Sequence, residues 1–329
     1  DRGELAALPT SGSAWDYLRQ QAARAGGSGH LANYDDRDPY NRVPAKHLAA
    51  ALVHARTGDR AARAVVVRAL DGLRGTEERS STVGTSSSDR LLATVRQLPA
   101  WIMAADLVGY QSSAFTQWLR VLVDKPIGTH GRWRTIRGCS DDAANNWGAM
   151  ATQARVAIAA YLRDEAALAA ASARFGRFLG DRSLATQFRK TSDFDLSFVA
   201  VPAGANPSTD WTAVNPVGPK SGIIVEDLSR SAGSYPRWDS SGIGYTHETL
   251  GAMLTTATLL DAVGRPPWEW SDRAILRAAN WLNSVGRING DWSLNKWPAW
   301  VLNHVYGASF PTTRALMGRQ IGFTDWLYG

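Results

Sequence analysis

Two adjacent asparagines, Asn145 and Asn146, stand at the start of an Ala-rich helical stretch and are followed by Trp147. Asparagine is a poor helix former, so two in succession suggest a role other than helix propensity. An asparagine amide that points into a cleft can hydrogen-bond a ligand carboxylate. The alternative role is a helix cap with a buried polar link, although Ser140 or Asp141 is also placed to cap this helix.

Cations and an aromatic ring alternate just upstream of these asparagines. Arg132, Arg134 and Arg137 surround Trp133 in the sequence. Guanidinium groups bind carboxylates in a fork geometry, and an indole offers a flat face for stacking. The run therefore adds Arg134 and Arg137, together with Asn145 and Trp147, to the candidate ligand-binding residues.

A second cluster lies between Glu226 and Glu248. Tyr245 and His247 are expected at the point where a loop leads into a helix. Arg230 precedes them in the chain. A lone histidine is more often structural, but Tyr, His and Arg together indicate proton transfer beside a cation. Further candidates that could contact a ligand lie in this cluster and in the segment 26–44, which is expected at a cleft rim: Tyr235, Arg237, Trp238, Tyr34 and Arg42.

The sequence motifs of several enzyme classes are absent from the chain. The chain has no HExxH, GxSxG, P-loop or GxGxxG sequence, and Cys139 is the only cysteine. His47 and His54 share a predicted helix without an acidic partner at ligand spacing. We therefore expect no metal and no cofactor.

The elements that must position these residues are helical. Apolar residues recur at helical spacing over 45–57 and 60–73, and Gly58 and Asp59 form the tight turn between them. Further helices are predicted over 89–107, 115–123, 142–162, 165–179, 246–263, 271–285 and 295–306. Segments 75–88 and 192–226 are rich in Gly, Ser or Pro and predict long loops. Successive hairpins without a fixed repeat predict an all-α fold, a single (α/α) toroid domain over 1–329 with long loops over its cleft.

Composition narrows the class of molecule that the chain could bind. The 329 residues carry a net charge of +6 and include 14 Trp, which favours an acidic ligand with surfaces for stacking. The basic residues are mostly dispersed Arg, which argues against nucleic acid, and no apolar run reaches the length of a membrane span. The chain begins at Asp1 without Met, as a processed export product would. The expected partner is an anionic polymer such as a polysaccharide, and the chain is expected to be a secreted monomer.

The order of these motifs resembles alginate-lyase-type polysaccharide lyases over roughly residues 45–263. The resemblance rests on three features: the turn 57–59, the helix start 145–147, and Glu226 to Arg230 followed by Tyr245. It implies an (α/α) toroid that cleaves a β-1,4-linked polyuronate, alginate or glucuronan, by β-elimination.

The resemblance also implies roles for individual residues. Asn146 and Arg230 would neutralise the uronate carboxylate, and Tyr245 would transfer protons, with Tyr235 as its rival. Trp147 stands where the better-known members carry His, so His247 or another histidine would supply that function. We expect His247 to be the partner of Tyr245.

Two other functions remain open. A toroid glycoside hydrolase acting on an acidic oligosaccharide would use two carboxylates. The candidates are Asp141, Asp142, Glu226, Asp227, Asp239 and Glu248. A non-catalytic polyuronate-binding protein would leave chain length unchanged.

Overall fold

The computed structural model describes residues 2–31, 42–78, 89–183, 212–216, 218, 220–232, 240–285, 296–314 and 321–329. In these ranges the chain forms fourteen α-helices and one 3-10 turn, Thr76–Glu78. Its only β-type pairing there is an antiparallel bridge between Val214 and Ile224. The predicted all-α class is confirmed.

The helices, in chain order, have the following bounds. They are α1 Arg2–Ala7, α2 Ser13–Ala22, α3 Arg42–Thr57, α4 Arg60–Asp71, α5 Arg90–Leu107, α6 Ser113–Leu122, α7 Ile136–Asp142, α8 Asn146–Leu162, α9 Glu165–Leu179, α10 Val225–Ala232, α11 Ser240–Ala262, α12 Trp270–Val285, α13 Trp297–Tyr306 and α14 Thr324–Tyr328.

The predicted first hairpin is present as α3 and α4. Gly58 takes a φ of 74°, which an L side chain rarely adopts, and this allows the chain to reverse. The Asp59 carboxylate then accepts hydrogen bonds from the backbone N–H groups of Ala61 and Ala62 at 2.8 and 3.1 Å. An N-cap of this kind satisfies donors that the first turn of a helix leaves unpaired.

Four long helices form the centre of the molecule. α3 packs on α5, α5 on α8, and α8 on α11, while α2 and α4 flank α3, α7 and α9 flank α8, and α10 and α12 flank α11. α8 is buried on all sides from Asn146 to Ala159. Its many alanines let neighbouring helices approach closely, so the polar start of α8 is enclosed by other helices.

Two helix boundaries correct the sequence prediction. The predicted helix 142–162 is two helices, because Ala143 is extended and Asn145, not Ser140 or Asp141, caps α8. α11 begins at Ser240, so Tyr245 and His247 lie inside a helix and not where a loop meets one. Most of the predicted loop 192–226 lies outside the described residues, and its last two residues belong to α10.

Candidate functional site

The start of α8 is held by a buried polar network, which begins at Asn145. The Asn145 side-chain oxygen accepts the backbone N–H of Trp147 at 3.0 Å and so caps the helix. Its Nδ2 donates to Oε1 of Glu226, on α10, at 2.8 Å. One asparagine therefore ends the extended link from α7 and joins α8 to α10.

Asn146 extends the network to α11. Its backbone N–H donates to Oδ1 of Asp227 at 3.1 Å, and its Nδ2 donates to Oε2 of Glu248 at 2.7 Å. The Thr249 hydroxyl donates to the other oxygen of Asp227. The two neighbouring asparagines thus contact carboxylates from two other helices, which explains why poor helix formers occupy this position.

An arginine that the sequence prediction missed compensates the charge of Glu248. Nη2 of Arg96, on α5, donates to both carboxylate oxygens of Glu248 at 2.8 Å. The two side chains are only 4% and 6% exposed. Burying a charge is costly unless it is paired and hydrogen-bonded, and this pair meets both conditions. The available signal was an arginine inside a predicted helix whose residues are mostly apolar.

Tyr245 and His247 differ in exposure. Tyr245 is 38% exposed and precedes Glu248 and Thr249 by three and four residues on α11, so the three share one helix face. His247 is only 8% exposed. Burial lowers the pKa of His247 to about 4, so its imidazole is neutral at pH 7. Of the two, Tyr245 is the side chain that solvent reaches.

Aromatic rings cover the outer side of the α8 start. Trp147 is packed against Trp133 and His130, with ring centroids 5.8 and 4.6 Å away. His130 stacks on Trp133 with an interplanar angle of 2°. Both indoles are buried, so the predicted stacking residues Trp133 and Trp147 support the partly exposed imidazole.

The two upstream arginines of the prediction, Arg134 and Arg137, are both exposed. Arg137 donates two hydrogen bonds to Asp124, at 2.6 and 2.9 Å, and this pair is exposed on the surface. The structure therefore engages Arg137 with Asp124 and does not bring it into the buried network.

The remaining predicted site residues cannot be placed at the network by their side chains. Arg230 lies in α10 and Arg42 at the start of α3, but their side chains are outside the described part. Outside the described residues altogether lie Tyr34, Tyr235, Arg237 and Trp238.

Neither a metal site nor a membrane span appears in the described part of the chain. No group of three or more His, Cys, Asp or Glu side chains there is arranged to hold a metal ion. None of the helices described is both long and apolar enough to cross a membrane.

Comparisons with known proteins leave the family open. No protein-family model matches the chain, and no curated protein matches it significantly. Function must therefore be argued from the site itself.

Proposed function

We propose that the chain is a polysaccharide lyase that cleaves a β-1,4-linked polyuronate, such as alginate or glucuronan, by β-elimination. One observation carries the proposal. The two clusters chosen from the sequence for their chemistry converge at the start of α8, through the contacts of Asn145 with Glu226 and of Asn146 with Glu248. The proposal extends to a secreted enzyme, since such polymers lie outside cells.

The arrangement of the central helices supports an (α/α) toroid as the architecture. One cavity is lined from the C-terminal parts of α5, α8 and α11 and by two leucines of α3. These helix ends therefore meet at one end of the molecule, as they would in parallel inner helices. The starts of α8 and α11, which carry the candidate site, would then share the opposite end.

The chemistry requires a base, an acid and a group that stabilises negative charge. A base removes the C5 proton, the C4–O4 bond breaks, O4 takes a proton, and a C4–C5 double bond forms. The intermediate is a dianion, so donors already oriented towards the uronate carboxylate lower the barrier. Glu248 holds the Asn146 amide in one orientation at 2.7 Å, and such preorganisation suits this role.

The proposal assigns proton transfer to Tyr245, and carboxylate neutralisation to Asn146 and Arg230. Tyr245 is the exposed member on the helix face of Glu248. The predicted partner His247 is left out of the proposal, because it lies two residues after Tyr245 on α11 and therefore on a different helix face. Burial also lowers its pKa to about 4, which makes it a weak base. Arg230 belongs to α10, the helix that Asn145 joins to α8.

The carboxylates of the network favour the lyase over a hydrolase. Glu226, Asp227 and Glu248 are buried, and each accepts a hydrogen bond from an amide, hydroxyl or guanidinium group. A hydrolase needs one carboxylic acid that gives its proton to the glycosidic oxygen. Carboxylates that already accept hydrogen bonds from the protein are suited to holding helices together.

The test is a screen of alginate blocks, glucuronan, hyaluronan and pectate for product that absorbs ultraviolet light. We expect absorbance with at least one polyuronate and a loss of about 10²–10⁴-fold in kcat for Tyr245→Phe. Tyr328→Phe is the matched control, because Tyr328 lines the cavity at the other end of α8. Tyr235→Phe tests the rival tyrosine.

Three results would contradict the lyase mechanism. New reducing ends without ultraviolet absorbance would indicate a hydrolase. Binding without any change in chain length would indicate a binding protein. Full activity in both Tyr245→Phe and Tyr235→Phe would remove tyrosine from the mechanism.

A further inference from the structure

His130 is fixed in one tautomer by the chain around it. Its Nδ1 lies 3.2 Å from the backbone N of Arg132 and 3.1 Å from that of Trp133. Backbone N–H groups only donate, so Nδ1 accepts both hydrogen bonds and carries no proton. In the neutral ring the proton is therefore on Nε2, which makes Nε2–H a donor.

The surroundings of His130 keep the ring neutral and rigid. Burial lowers its pKa, Arg132 lowers it further and Asp89 opposes them. Protonation at Nδ1 would also break both backbone hydrogen bonds. The Trp133 ring lies parallel to the imidazole at 5.4 Å, and the Trp147 ring is 4.6 Å away, so the side chain has little freedom to turn.

The position of His130 connects this donor to the candidate site. Trp147, which it contacts, directly follows Asn146, and the imidazole is partly exposed while both indoles are buried. Arg132 and Arg134 are exposed next to it in the sequence. A neutral donor with cations beside it suits an acidic sugar, whose hydroxyl and carboxylate oxygens all accept hydrogen bonds.

We propose that His130 is a substrate-binding residue whose Nε2–H donates to a hydroxyl or carboxylate oxygen of a uronate unit. This inference rests on the proposed lyase function and names a contact that the sequence did not predict. Trp133 and Trp147 act as positioning residues, because they hold the imidazole and not the sugar.

Two substitutions separate binding from support of the loop. His130→Asn keeps an acceptor near the position of Nδ1 and removes Nε2–H, whereas His130→Gln places an amide near Nε2 and removes the Nδ1 acceptor. We expect His130→Asn to retain the wild-type melting temperature and to raise KM for the polyuronate roughly tenfold, with kcat little changed. His130→Gln should lower the melting temperature and affect KM less. The control His304→Asn, at an exposed site beside Tyr328, should change neither.

A second measurement uses the wild-type protein and does not depend on activity. Nitrogen-15 NMR of the histidine side chains should show an unprotonated Nδ1 and a protonated Nε2 for His130. Titration with mannuronate, guluronate or glucuronate trisaccharides should shift the Nε2 signal. A protonated Nδ1 in the free protein at neutral pH would overturn the inference.

The outcomes distinguish this inference from the proposed function. If the wild type cleaves a polyuronate and His130→Asn has an unchanged KM, the inference is wrong and the lyase stands. If the wild type cleaves none of the polymers, the lyase proposal fails and the titration decides: a shifted Nε2 signal supports sugar binding at His130, and an unshifted signal overturns it.

Discussion

The two ends of α8 are built from opposite kinds of contact, although α5 and α11 lie beside both ends. At the N-terminal end, Asn145 and Asn146 donate hydrogen bonds to carboxylates of α10 and α11. At the C-terminal end, the helices leave a cavity of about 370 Å³. Its lining is mostly apolar and includes Leu52, Ile102, Leu107, Ala157, Leu259 and Val263.

The cavity end is held together by apolar packing. Leu5 and Leu8 reach it from α1 and the turn after it, and Leu327 and Tyr328 from α14. Trp326 packs on Trp15 with ring centroids 5.4 Å apart. Such contacts are non-directional, and they depend on apolar area removed from water.

The contrast indicates which changes each end tolerates. Removing one partner from a buried charged network leaves another charge unpaired. Adding a methylene beside a cavity only fills part of the empty volume. Substitutions at the α8 start should therefore be costly and should impair the site. Substitutions at the cavity should be mild and leave activity intact.

The largest effect is expected from Arg96→Met, which leaves the Glu248 carboxylate buried without its cation. We expect the free energy of unfolding to fall by about 3–5 kcal/mol, measured by urea denaturation. The double variant Arg96→Met with Glu248→Gln should recover part of this loss, because no charge is then left unpaired. A single variant as stable as the wild type would show that the pair does not hold α5 against α11.

A pH titration tests the polar end through His247. Its pKa is about 4 in the folded chain against 6.5 for an unperturbed histidine, so between these values the unfolded chain binds more protons. Stability should be complete above pH 6.5 and fall by up to about 3 kcal/mol as the pH approaches 4. Urea denaturation across this pH range should show a smaller fall in the free energy of unfolding for His247→Gln than for the wild type.

Burial also lowers the pKa of His47 and of His130, so both histidines also decrease the free energy of unfolding as the pH falls. The variant is therefore compared with the wild type. Only the difference between the two proteins belongs to His247. Identical pH profiles would mean that His247 is not buried as described.

Gly148 tests how tightly the α8 start is packed. A Cβ there would lie 1.9 Å from the carbonyl oxygen of Ala143, which is backbone and cannot move aside cheaply. We expect Gly148→Ala to lower stability by about 1–3 kcal/mol and to reduce any activity. In the control Gly244→Ala, on α11 near Tyr245, a Cβ meets nothing within 4 Å. Thermal unfolding should show that the control is as stable as the wild type or more so, because Ala favours a helix.

The sequence predicted the helices well wherever local signals define them. The turn at Gly58 and Asp59 has its own cap, and α9 begins after Asp164, whose carboxylate accepts the N–H of Ala167. The break before α8 was missed because residues 140–146 contain neither Gly nor Pro, the residues that most clearly mark a break in a helix. The bond from Asn145 to Glu226, which helps to fix the break, spans 81 residues.

The candidate site was predicted by residue type but not by pairing. Asn146 and Glu248 were both candidates, yet they were assigned to different clusters and lie 102 residues apart in the chain. Arg96 was missed as a site residue. Its role comes from Glu248, 152 residues away in the chain, and a single sequence carries no local pattern that identifies such a partner.

The smallest effect is expected at the cavity end. Ala160→Leu adds three carbons where Ala160 lines the cavity of about 370 Å³, so the new side chain has room and buries apolar surface. We expect a gain of at most about 1 kcal/mol in the free energy of unfolding and unchanged activity. The matched change Ala144→Leu inserts the same atoms into the fully buried link before α8, and it should cost about 1–3 kcal/mol. Equal effects of the two substitutions would contradict the contrast between the ends, because volume would then matter equally at both.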